Sequence, residues 1–386
     1  MKAQGPRARL IDDIGDVPAA TWDALANPPG QEFNPFITHA FLRALEDSGS
    51  ACGEAGWRPA HALLEDGKTV VGAAPMYVKA HSYGEYVFDH AWAEAFHRAG
   101  GRYYPKLQVT VPFTPATGRR LLVGTNESAR IPLATALMQV AEKLRVSSLH
   151  ITFAEREEYD ALAALGFLQR ADQQFHWENA GYADFAAFLG ALSSIKRKNL
   201  RRERLEALDN GITVEWVTGS DLKESHWDAF FEFYQETGSR KWGSPYLTRK
   251  FFSLIGATMA DRILLVMAKR DGRYIAGALN FIGSHALYGR NWGAIEHHRF
   301  LHFELCYYQA IDFAIAHKLA RVEAGAQGAH KLARGYMPVE THSLHWIAHS
   351  GLRTAVERYL RDERIAVAEE IEALNEHGPF RKEQAD

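Results

Sequence analysis

The sequence predicts an α+β fold of two tandem domains, each a mixed central sheet flanked by helices. Its 386 residues exceed the usual length of one domain, and the 47% hydrophobic content supports sizeable cores. Both halves show the element order β-α-α-β-β-β-α-β-α-β, and such a mixed run predicts layers of helices on a sheet. A break at Asn179–Gly181 separates the copies. The predicted domains are therefore residues 1–180 and 181–386.

Local signals place the elements of the first half. Asn34-Pro35 combines a capping residue with a proline suited to the first helical turn, and Asp66-Gly67 is typical of a hairpin. Gly166 ends a helix. The predicted strands are 7–14, 58–65, 69–78, 106–113, 148–154 and 174–177, and the predicted helices are 18–26, 34–45, 132–144 and 157–165.

The second half repeats this pattern after a connecting helix at 182–208. Asp271-Gly272 again indicates a tight turn between two strands. The predicted strands are 212–217, 263–268, 274–282, 286–292, 321–324 and 343–348, and the predicted helices are 221–237, 246–259, 300–317 and 352–374, with a helical turn at 330–334.

Charge and composition restrict the function. The net charge of −3 and the pI near 6.7 disfavour a protein that grips DNA or long RNA, because such proteins carry a basic excess. No apolar run is long enough to span a membrane, and the N-terminus shows no secretory signal. The two cysteines show no metal-type pairing. We expect a cytoplasmic protein, with peripheral contact to the inner membrane left open.

Seven segments carry a family resemblance that spans nearly the whole chain. The sequence is similar to the Fem-like "predicted N-acyltransferase" family, described as acting in peptidoglycan biosynthesis or recognition, and its doubled element order resembles tandem GNAT acyltransferases. Bacterial ceramide synthase, which N-acylates a long-chain sphingoid base, looks similar to this family. The segments are HSYGEYVFDHAWAEAF (81–96), YYPKLQVTVPFTPATGRRLL (103–122), QFHW (174–177), KRKNLRRER (196–204), YGRNWG (288–293), LHFELCYYQAID (301–312) and GAQGAHKLARGYMP (325–338).

The resemblance implies a mechanism in the second domain. Two parallel strands, here 286–292 and 321–324, part so that an acyl donor pairs with exposed backbone and a backbone N–H stabilises the oxyanion. A primary amine attacks directly with the help of a general base, and a tyrosine or water protonates the leaving thiolate. Arg290 and Trp292, on the first of these strands, are expected to bind substrate. The implied co-substrate is acyl-CoA or acyl carrier protein, with no permanently bound cofactor, and the implied acceptor is a small-molecule or lipid amine.

The predicted helix 300–317 carries the first candidate acid/base group. Glu304 lies within an apolar run, and with His302 it is expected to act as the acid/base pair. A surface glutamate on an amphipathic helix is the alternative. His298, His302 and Cys306 share a face, but three ligands along one helix do not surround an ion, so we expect no metal.

The segment after strand 321–324 is the second candidate site. Gly325 and Gly328 let the backbone approach a ligand closely, and the basic helix start suits an anion. His330 is an expected catalytic residue, and Tyr336 is the expected acid for the leaving thiolate by GNAT analogy. The alternative is a solvated basic turn. The expected substrate-binding residues here are Gln327, Lys331 and Arg334.

A dense basic helix at 196–204 is the third candidate. Its cationic face, which includes the expected substrate-binding residues Lys196 and Lys198, suits a phosphate of the donor, an anionic lipid surface or tRNA. A solvated face is the alternative. In the first domain, Asp89 and His90 are candidates for a proton relay or a helix cap, and Lys106 and Arg119 for binding phosphate.

One departure from ordinary GNAT sequences concerns the donor. The stretch 295–300 before the long helix has no glycine, whereas GNAT proteins place a glycine-rich loop there for the CoA pyrophosphate. Three functions follow as hypotheses: a thioester-dependent N-acyltransferase, a Fem-type aminoacyl-tRNA-dependent transferase, and a non-catalytic module that binds cell-wall or lipid precursors. The acidic balance disfavours tRNA.

Overall fold

The computed structural model describes residues 6–241, 245–325 and 328–381, so the predicted substrate-binding residue Gln327 lies outside the described residues. Contacts divide the chain into two compact units. Unit 1 is the chain up to Asp172 together with Glu340–Ala368, and unit 2 is Gln173–Val339 with the chain from Glu369 onward.

Unit 1 is built around two small sheets. Its strands are β1 (Arg7–Ile11), β2 (Trp57–Pro59), β3 (His61–Asp66), β4 (Thr69–Ala74), β5 (Met76–Lys79), β6 (Lys106–Val109) and β7 (Ser148–Ala154), and its helices are α1 (Ala19–Ala26), α2 (His39–Asp47), α3 (His90–Arg98), α4 (Arg130–Leu144) and α5 (Arg156–Ala163). One sheet has the order β1-β3-β4, and in the other β2, β5, β6 and β7 are neighbours in that order.

Unit 2 contains one mixed sheet. Its elements are β8 (Leu168–Glu178), which enters from unit 1, α6 (Phe185–Ala191), α7 (Ser194–Ala207), β9 (Thr213–Thr218), α8 (Glu224–Lys241), α9 (Arg249–Met259), β10 (Ile263–Arg270), β11 (Arg273–Ile282), β12 (Ala286–Ala294), α10 (Leu301–Phe303), a π-helical turn (Glu304–Tyr308), α11 (Gln309–Ala316) and β13 (Arg321–Glu323). The sheet order is β8-β13-β12-β11-β10-β9. The chain ends with β14 (Met337–Ile347) and α12 (Ser350–Glu376).

The last strand of each sequence copy belongs to the other unit. In unit 1, β14 pairs antiparallel with β7 over 342–347. In unit 2, β8 pairs antiparallel with β13 over 176–178. The structural division therefore differs from the predicted domains 1–180 and 181–386, because an open strand edge selects its partner by hydrogen bonding and not by order along the chain.

Three predicted elements are interrupted. The predicted strand 69–78 breaks at Pro75, which has no N–H to donate to a ladder. The predicted helix 182–208 is two helices, because Leu192 is extended and the N–H of Ser193 bonds to Pro379. Asn34 caps only a short 3₁₀ turn, while Thr38 accepts from the N–H of Phe41 and caps α2.

Each unit has its own apolar core. In unit 1, β3–β7 pack against α4 and α5, with Leu133, Leu137 and Leu149 fully buried. In unit 2, one face of the sheet packs against α6, α7 and the long helix from α10 to α11. Within the described residues, no helix is both long and apolar enough to cross a membrane.

Candidate active site

The site begins where the two parallel strands of unit 2 separate. β12 and β13 are in register at three positions only, from Ala286 opposite Arg321 to Tyr288 opposite Glu323. β13 then ends, whereas β12 continues to Ala294 and stays paired with β11. Among the described strands, none therefore pairs with Gly289 and the following residues on the β13 side, and this opening is called the gap.

A β-bulge lies in the same stretch of β12. Leu279 of β11 is opposite Asn291, and Asn280 is opposite Gly289, so Arg290 is the extra residue. A bulge turns the strand and re-aims its side chains, and bulges are frequent beside active sites. The bulge therefore adds to the opening that the strand separation creates.

A pocket occupies this gap. The empty volume of this pocket is about 350 Å³, a value that includes solvent at its open mouth. β11, β12, the long helix and the end of β13 all contribute to its wall, so it lies at the point where the two parallel strands separate. Its lining residues are Ala278, Leu279, Asn280, Gly289, Arg290, Asn291, His302, Cys306, Tyr307 and Ala324.

The π-helical turn supplies part of that wall. It interrupts the predicted helix 300–317 over Glu304–Tyr308, and Cys306 and Tyr307 within it line the pocket. A π turn inserts one residue into a helix and occurs often at functional sites. Here it presents a thiol and a phenol to the pocket from adjacent positions of the chain.

Aromatic and imidazole rings cluster on this side of the pocket. The hydroxyl of Tyr307 lies 2.9 Å from Nε2 of His330, whose side chain is exposed. The ring of His302 lies 5.5 Å from that of Tyr307 and 5.1 Å from that of Trp292. Burial raises the pKa of Tyr307, so its phenol remains protonated at neutral pH. The structure thus brings the predicted residues His302, His330 and Trp292 together around Tyr307.

Glu304 has a different environment. Its fully buried carboxylate accepts from Nε and Nη2 of Arg204 at 3.0 and 2.8 Å and from Gln309 at 2.7 Å. Arg204 also pairs with Asp312 at 2.7 Å. Both carboxylate oxygens of Glu304 are therefore engaged by Arg204, and Glu304 is not among the residues that line the pocket.

Tyr336 is also held within the core. It is fully buried and donates to the carbonyl of Tyr307 at 3.1 Å, and burial raises its pKa well above the usual value. It is not among the pocket-lining residues. The hydrogen bond of Tyr336 instead supports the backbone of Tyr307, and it is Tyr307 that lines the pocket.

Lys331 and Arg334 are both held by hydrogen bonds to backbone carbonyls of unit 2. The ammonium of Lys331 donates to the carbonyl of Gly325 at 2.8 Å, and burial lowers its pKa to about 8. Arg334 donates to the carbonyl of His330 and to Glu203, each at 2.7 Å, and stacks 3.4 Å from the ring centroid of Phe303. Both cations are thus bound within the fold, and they position His330.

The basic helix is α7, and its cations separate into two groups. Arg204 points inward to Glu304, whereas Lys198 is exposed and Lys196 is half-buried. Neither lysine is among the pocket-lining residues.

Two of the predicted residues of unit 1, Asp89 and Lys106, belong to a buried ionic cluster. The ammonium of Lys106 donates to Asp89 at 2.5 Å, to Glu85 at 2.7 Å and to Ser82 at 2.9 Å, and all four side chains are buried. Burial raises the pKa of Glu85 to about 7. Burial alone would raise the pKa of Asp89 as well, but Lys106 outweighs it, and the pKa of Asp89 is lowered.

The other two predicted residues of unit 1 lie apart from this cluster. His90 is exposed at the start of α3, where Asp89 is the cap residue but makes no side-chain capping bond. Arg119 donates to the carbonyls of Ala26 and Glu32 at 2.8–3.1 Å, which ties down the segment after α1.

Unit 1 also contains a parallel strand pair, but the place where these strands separate is filled. β6 and β7 are in register over 107–109 and 149–151. Immediately beyond, the buried guanidinium of Arg120 donates to the carbonyls of Thr152 at 2.8 Å, Gly118 at 2.9 Å and Ala116 at 2.7 Å. These bonds satisfy carbonyl groups of β7 and of the segment 116–118 beyond the registered pairs.

A profile of one protein family matches residues 13–382, nearly the whole chain. That family is FemAB-like and is described as peptidoglycan biosynthesis/recognition. The chain belongs to this FemAB-like family. No curated protein matches it closely. Membership and fold together identify this FemAB-like protein as a transferase, as the sequence predicted.

Solved structures support the fold of this FemAB-like protein at low sequence identity. FemX aligns with a TM-score of 0.56 and 13% identity over 88% of this chain and 98% of FemX. L-PGS from Bacillus licheniformis aligns with a TM-score of 0.51 and 11% identity over 86% of this chain and 98% of its own. The predicted α+β fold with mixed sheets and flanking helices is confirmed.

Sequence reasoning missed several residues that line the pocket. Asn280 and Asn291 are polar residues within otherwise apolar or aromatic strands, and that interruption is a usable signal. Tyr307 belongs to the apolar run around Glu304, and nothing in the local pattern distinguishes it from Tyr308, which donates to Glu203.

Proposed function

We propose that this protein transfers an acyl group from an activated donor to a primary amine at the gap between β12 and β13. One observation carries the proposal: the parallel strands separate after three registered pairs, and a pocket lies at that point. A donor carbonyl in this gap would lie along the edge of β12 beyond the last registered pair, where a backbone N–H can stabilise the oxyanion that forms on attack.

His302 and Tyr307 are our candidates for the proton transfers. The amine nitrogen attacks the carbonyl carbon, His302 accepts a proton from that nitrogen, and the bond between the carbonyl carbon and the leaving group breaks. Tyr307 gives its proton to the leaving thiolate, and its raised pKa keeps that proton available. His330, 2.9 Å from the Tyr307 hydroxyl, restores the proton.

We propose a thioester, acyl-CoA or acyl carrier protein, as the donor and a small-molecule or lipid amine as the acceptor. A long-chain amino-lipid, as in bacterial ceramide synthase, is the most specific form of this proposal. The segment before α10 has no glycine and contains Phe300 in a left-handed conformation with φ 62°. This departure from the usual pyrophosphate loop favours a donor that is held by its acyl and amide parts in the strand gap.

An aminoacyl-tRNA donor is the second candidate, and the FemAB-like family membership with the fold of FemX favours it. The chemistry in the gap is the same, because an aminoacyl ester also presents a carbonyl to an amine. The leaving group is then a ribose hydroxyl, which needs the proton of Tyr307 more than a thiolate does. The two candidate functions therefore differ in the donor that the protein accepts, a thioester or an aminoacyl-tRNA.

A transfer assay with labelled acyl-CoA, acyl carrier protein and aminoacyl-tRNA, each with a panel of primary amines, tests the proposal. We expect product from a thioester, and a loss of about a hundredfold in kcat for His302→Asn, the usual scale for a general base. His298→Asn is the matched control, since His298 lies just before the helix and bonds to Glu296. If product formed only from aminoacyl-tRNA, the second candidate function would replace the first. If His302→Asn and His298→Asn had equal kcat, His302 would not be the general base.

A further inference from the structure

The outward face of α7 combines exposed aliphatic side chains with exposed cations. Ile195 and Leu205 are 72% and 73% exposed, which is unusual for residues of this type. Lys198, Arg201 and Arg202 are exposed between them along the helix. The opposite face, which includes Leu200 and Ala207, is buried in the core of unit 2.

Helical spacing places these side chains on one stripe. Positions 195, 198, 202 and 205 follow the i, i+3, i+7, i+10 pattern of a single helix face. At 1.5 Å per residue the two aliphatic side chains lie about 15 Å apart along the helix, with the cations between them. The stripe is therefore basic in its middle and has an aliphatic side chain at each end.

Among the residues that the structure describes, most cations of α7 form no ion pair with a carboxylate. In the described part of the chain, no carboxylate pairs with Lys196, Arg197, Lys198 or Arg201. Arg202 faces Glu206 at 3.5 Å, and Glu206 also meets Arg299. The outward face therefore carries a positive excess, in a chain whose overall net charge is −3.

We propose that the outward face of α7 docks on an anionic phospholipid bilayer. Cations on such a strip lie among lipid phosphates, while Ile195 and Leu205 enter the boundary between headgroups and acyl chains. RNA would engage the cations but leave both aliphatic side chains in water. The docking is peripheral and does not depend on acyl transfer.

The docking face is connected to the active site through the other side of the same helix. Arg204 of α7 holds Glu304 at the start of the π-helical turn, and Glu203 accepts from Arg334 beside His330. A bilayer on the outer face would therefore lie about one helix diameter, roughly 10 Å, from groups that hold the pocket wall. Such a position suits an amine acceptor that resides in the membrane.

Vesicle co-sedimentation of the full chain tests this inference, with phosphatidylcholine vesicles that contain or lack phosphatidylglycerol. We expect binding only to the anionic vesicles and release by salt. The variant Lys198→Gln/Arg201→Gln should bind about twenty-five-fold more weakly, since each cation near an anionic surface contributes about fivefold. Ile195→Ser/Leu205→Ser keeps every charge and should bind at least about tenfold more weakly.

Lys143→Gln/Ile365→Ser is the matched control, because both residues are exposed and belong to unit 1, whereas α7 belongs to unit 2. This control should bind like the unmodified protein, and circular dichroism should show an unchanged fold in all variants. Equal vesicle binding by the α7 variants would overturn the proposal. If only Lys198→Gln/Arg201→Gln lost vesicle binding and tRNA competed effectively with the vesicles, the partner of this face would be RNA and not a membrane. If the protein self-associated and Ile195→Ser/Leu205→Ser abolished this, the partner of the face would be a second copy of this chain and not a membrane.

Discussion

At the scale of single residues, the partners of a side chain decide its role. Glu304 and His302 are two positions apart, and the sequence offers both as acid/base groups. The structure gives both oxygens of Glu304 to Arg204, whereas His302 lines the pocket. Residue type therefore identified both residues as candidates. Contacts with residues distant in sequence then distinguished the ion-paired Glu304 from the pocket-lining His302.

Replacement of Tyr307 by phenylalanine tests the proposed acid. We expect kcat to fall by about tenfold with a thioester and by about a hundredfold or more with an ester, because an alkoxide needs protonation more than a thiolate does. KM should change little, since the ring is retained. Tyr308→Phe is the control, as its hydroxyl bonds to Glu203. A kcat that is equal in Tyr307→Phe and in the unmodified protein would exclude the phenol as the acid.

Replacement of Glu304 by glutamine tests its structural role. Arg204 would lose a charged partner but keep Asp312, so we expect the free energy of unfolding to fall by roughly 1–3 kcal/mol. Transfer per folded molecule should change little. Denaturant unfolding, with Asp312→Asn as the comparison, measures the stability. A catalytic loss near that of His302→Asn, without loss of stability, would restore Glu304 as an acid/base residue.

At the scale of elements, the gap between β12 and β13 is the decisive feature. A Cβ added to Gly289 would lie 3.4 Å from the carbonyl oxygen of Glu323 and 3.5 Å from Oδ1 of Asn280, which is ordinary contact. A larger side chain would extend further into the pocket that Gly289 lines. The size of this side chain therefore controls access without a change in the strands.

We expect Gly289→Ala to transfer acyl groups nearly normally, and Gly289→Val to raise the KM for the donor by about tenfold or more, as overpacking of such a site costs 1–3 kcal/mol. Steady-state kinetics at varied donor concentration, with thermal melting of both variants, measures this. If valine leaves the KM unchanged while the protein stays folded, the donor does not occupy the gap.

At the scale of the whole molecule, buried lysines make stability depend on pH. Burial lowers the pKa of Lys331 to about 8, from 10.5 in the unfolded chain. In that interval the unfolded state binds the proton more strongly, so stability rises between pH 8 and 10.5, and the gain is lost as pH falls through 8. One pKa unit corresponds to about 1.4 kcal/mol, which sets the gain from Lys331 at roughly 3 kcal/mol.

Lys331→Met should remove this rise. Denaturant unfolding at pH 7, 8, 9 and 10 measures the difference in unfolding free energy between the unmodified protein and the variant, and we expect it to shift in favour of the unmodified protein as pH increases. Lys143→Met, at an exposed position, is the control and should show a constant difference. A constant difference for Lys331→Met would mean that its ammonium is not buried in the folded protein.

Local patterns predicted much of the fold. The strand 148–154 is found as predicted, and both predicted hairpin turns connect antiparallel strands. The interruptions were less visible, because the π-helical turn and the break at Leu192 depend on packing and on the bond from Ser193 to Pro379. Periodicity reports which face of a segment is apolar, but it does not report where tertiary contacts replace a helical hydrogen bond.

The sequence by itself determined the two copies of one α+β pattern, the basic helix and the polar residues around the long helix of the second copy, because periodicity, turn residues and charge are local properties. Only the tertiary structure decided the exchange of the last strands, the engagement of Glu304 by Arg204, and the contrast between the open gap of unit 2 and the gap that Arg120 fills in unit 1. The physical reason is that strand pairing and burial join groups far apart in the chain, and the free energy of each group depends on the partner that it meets there.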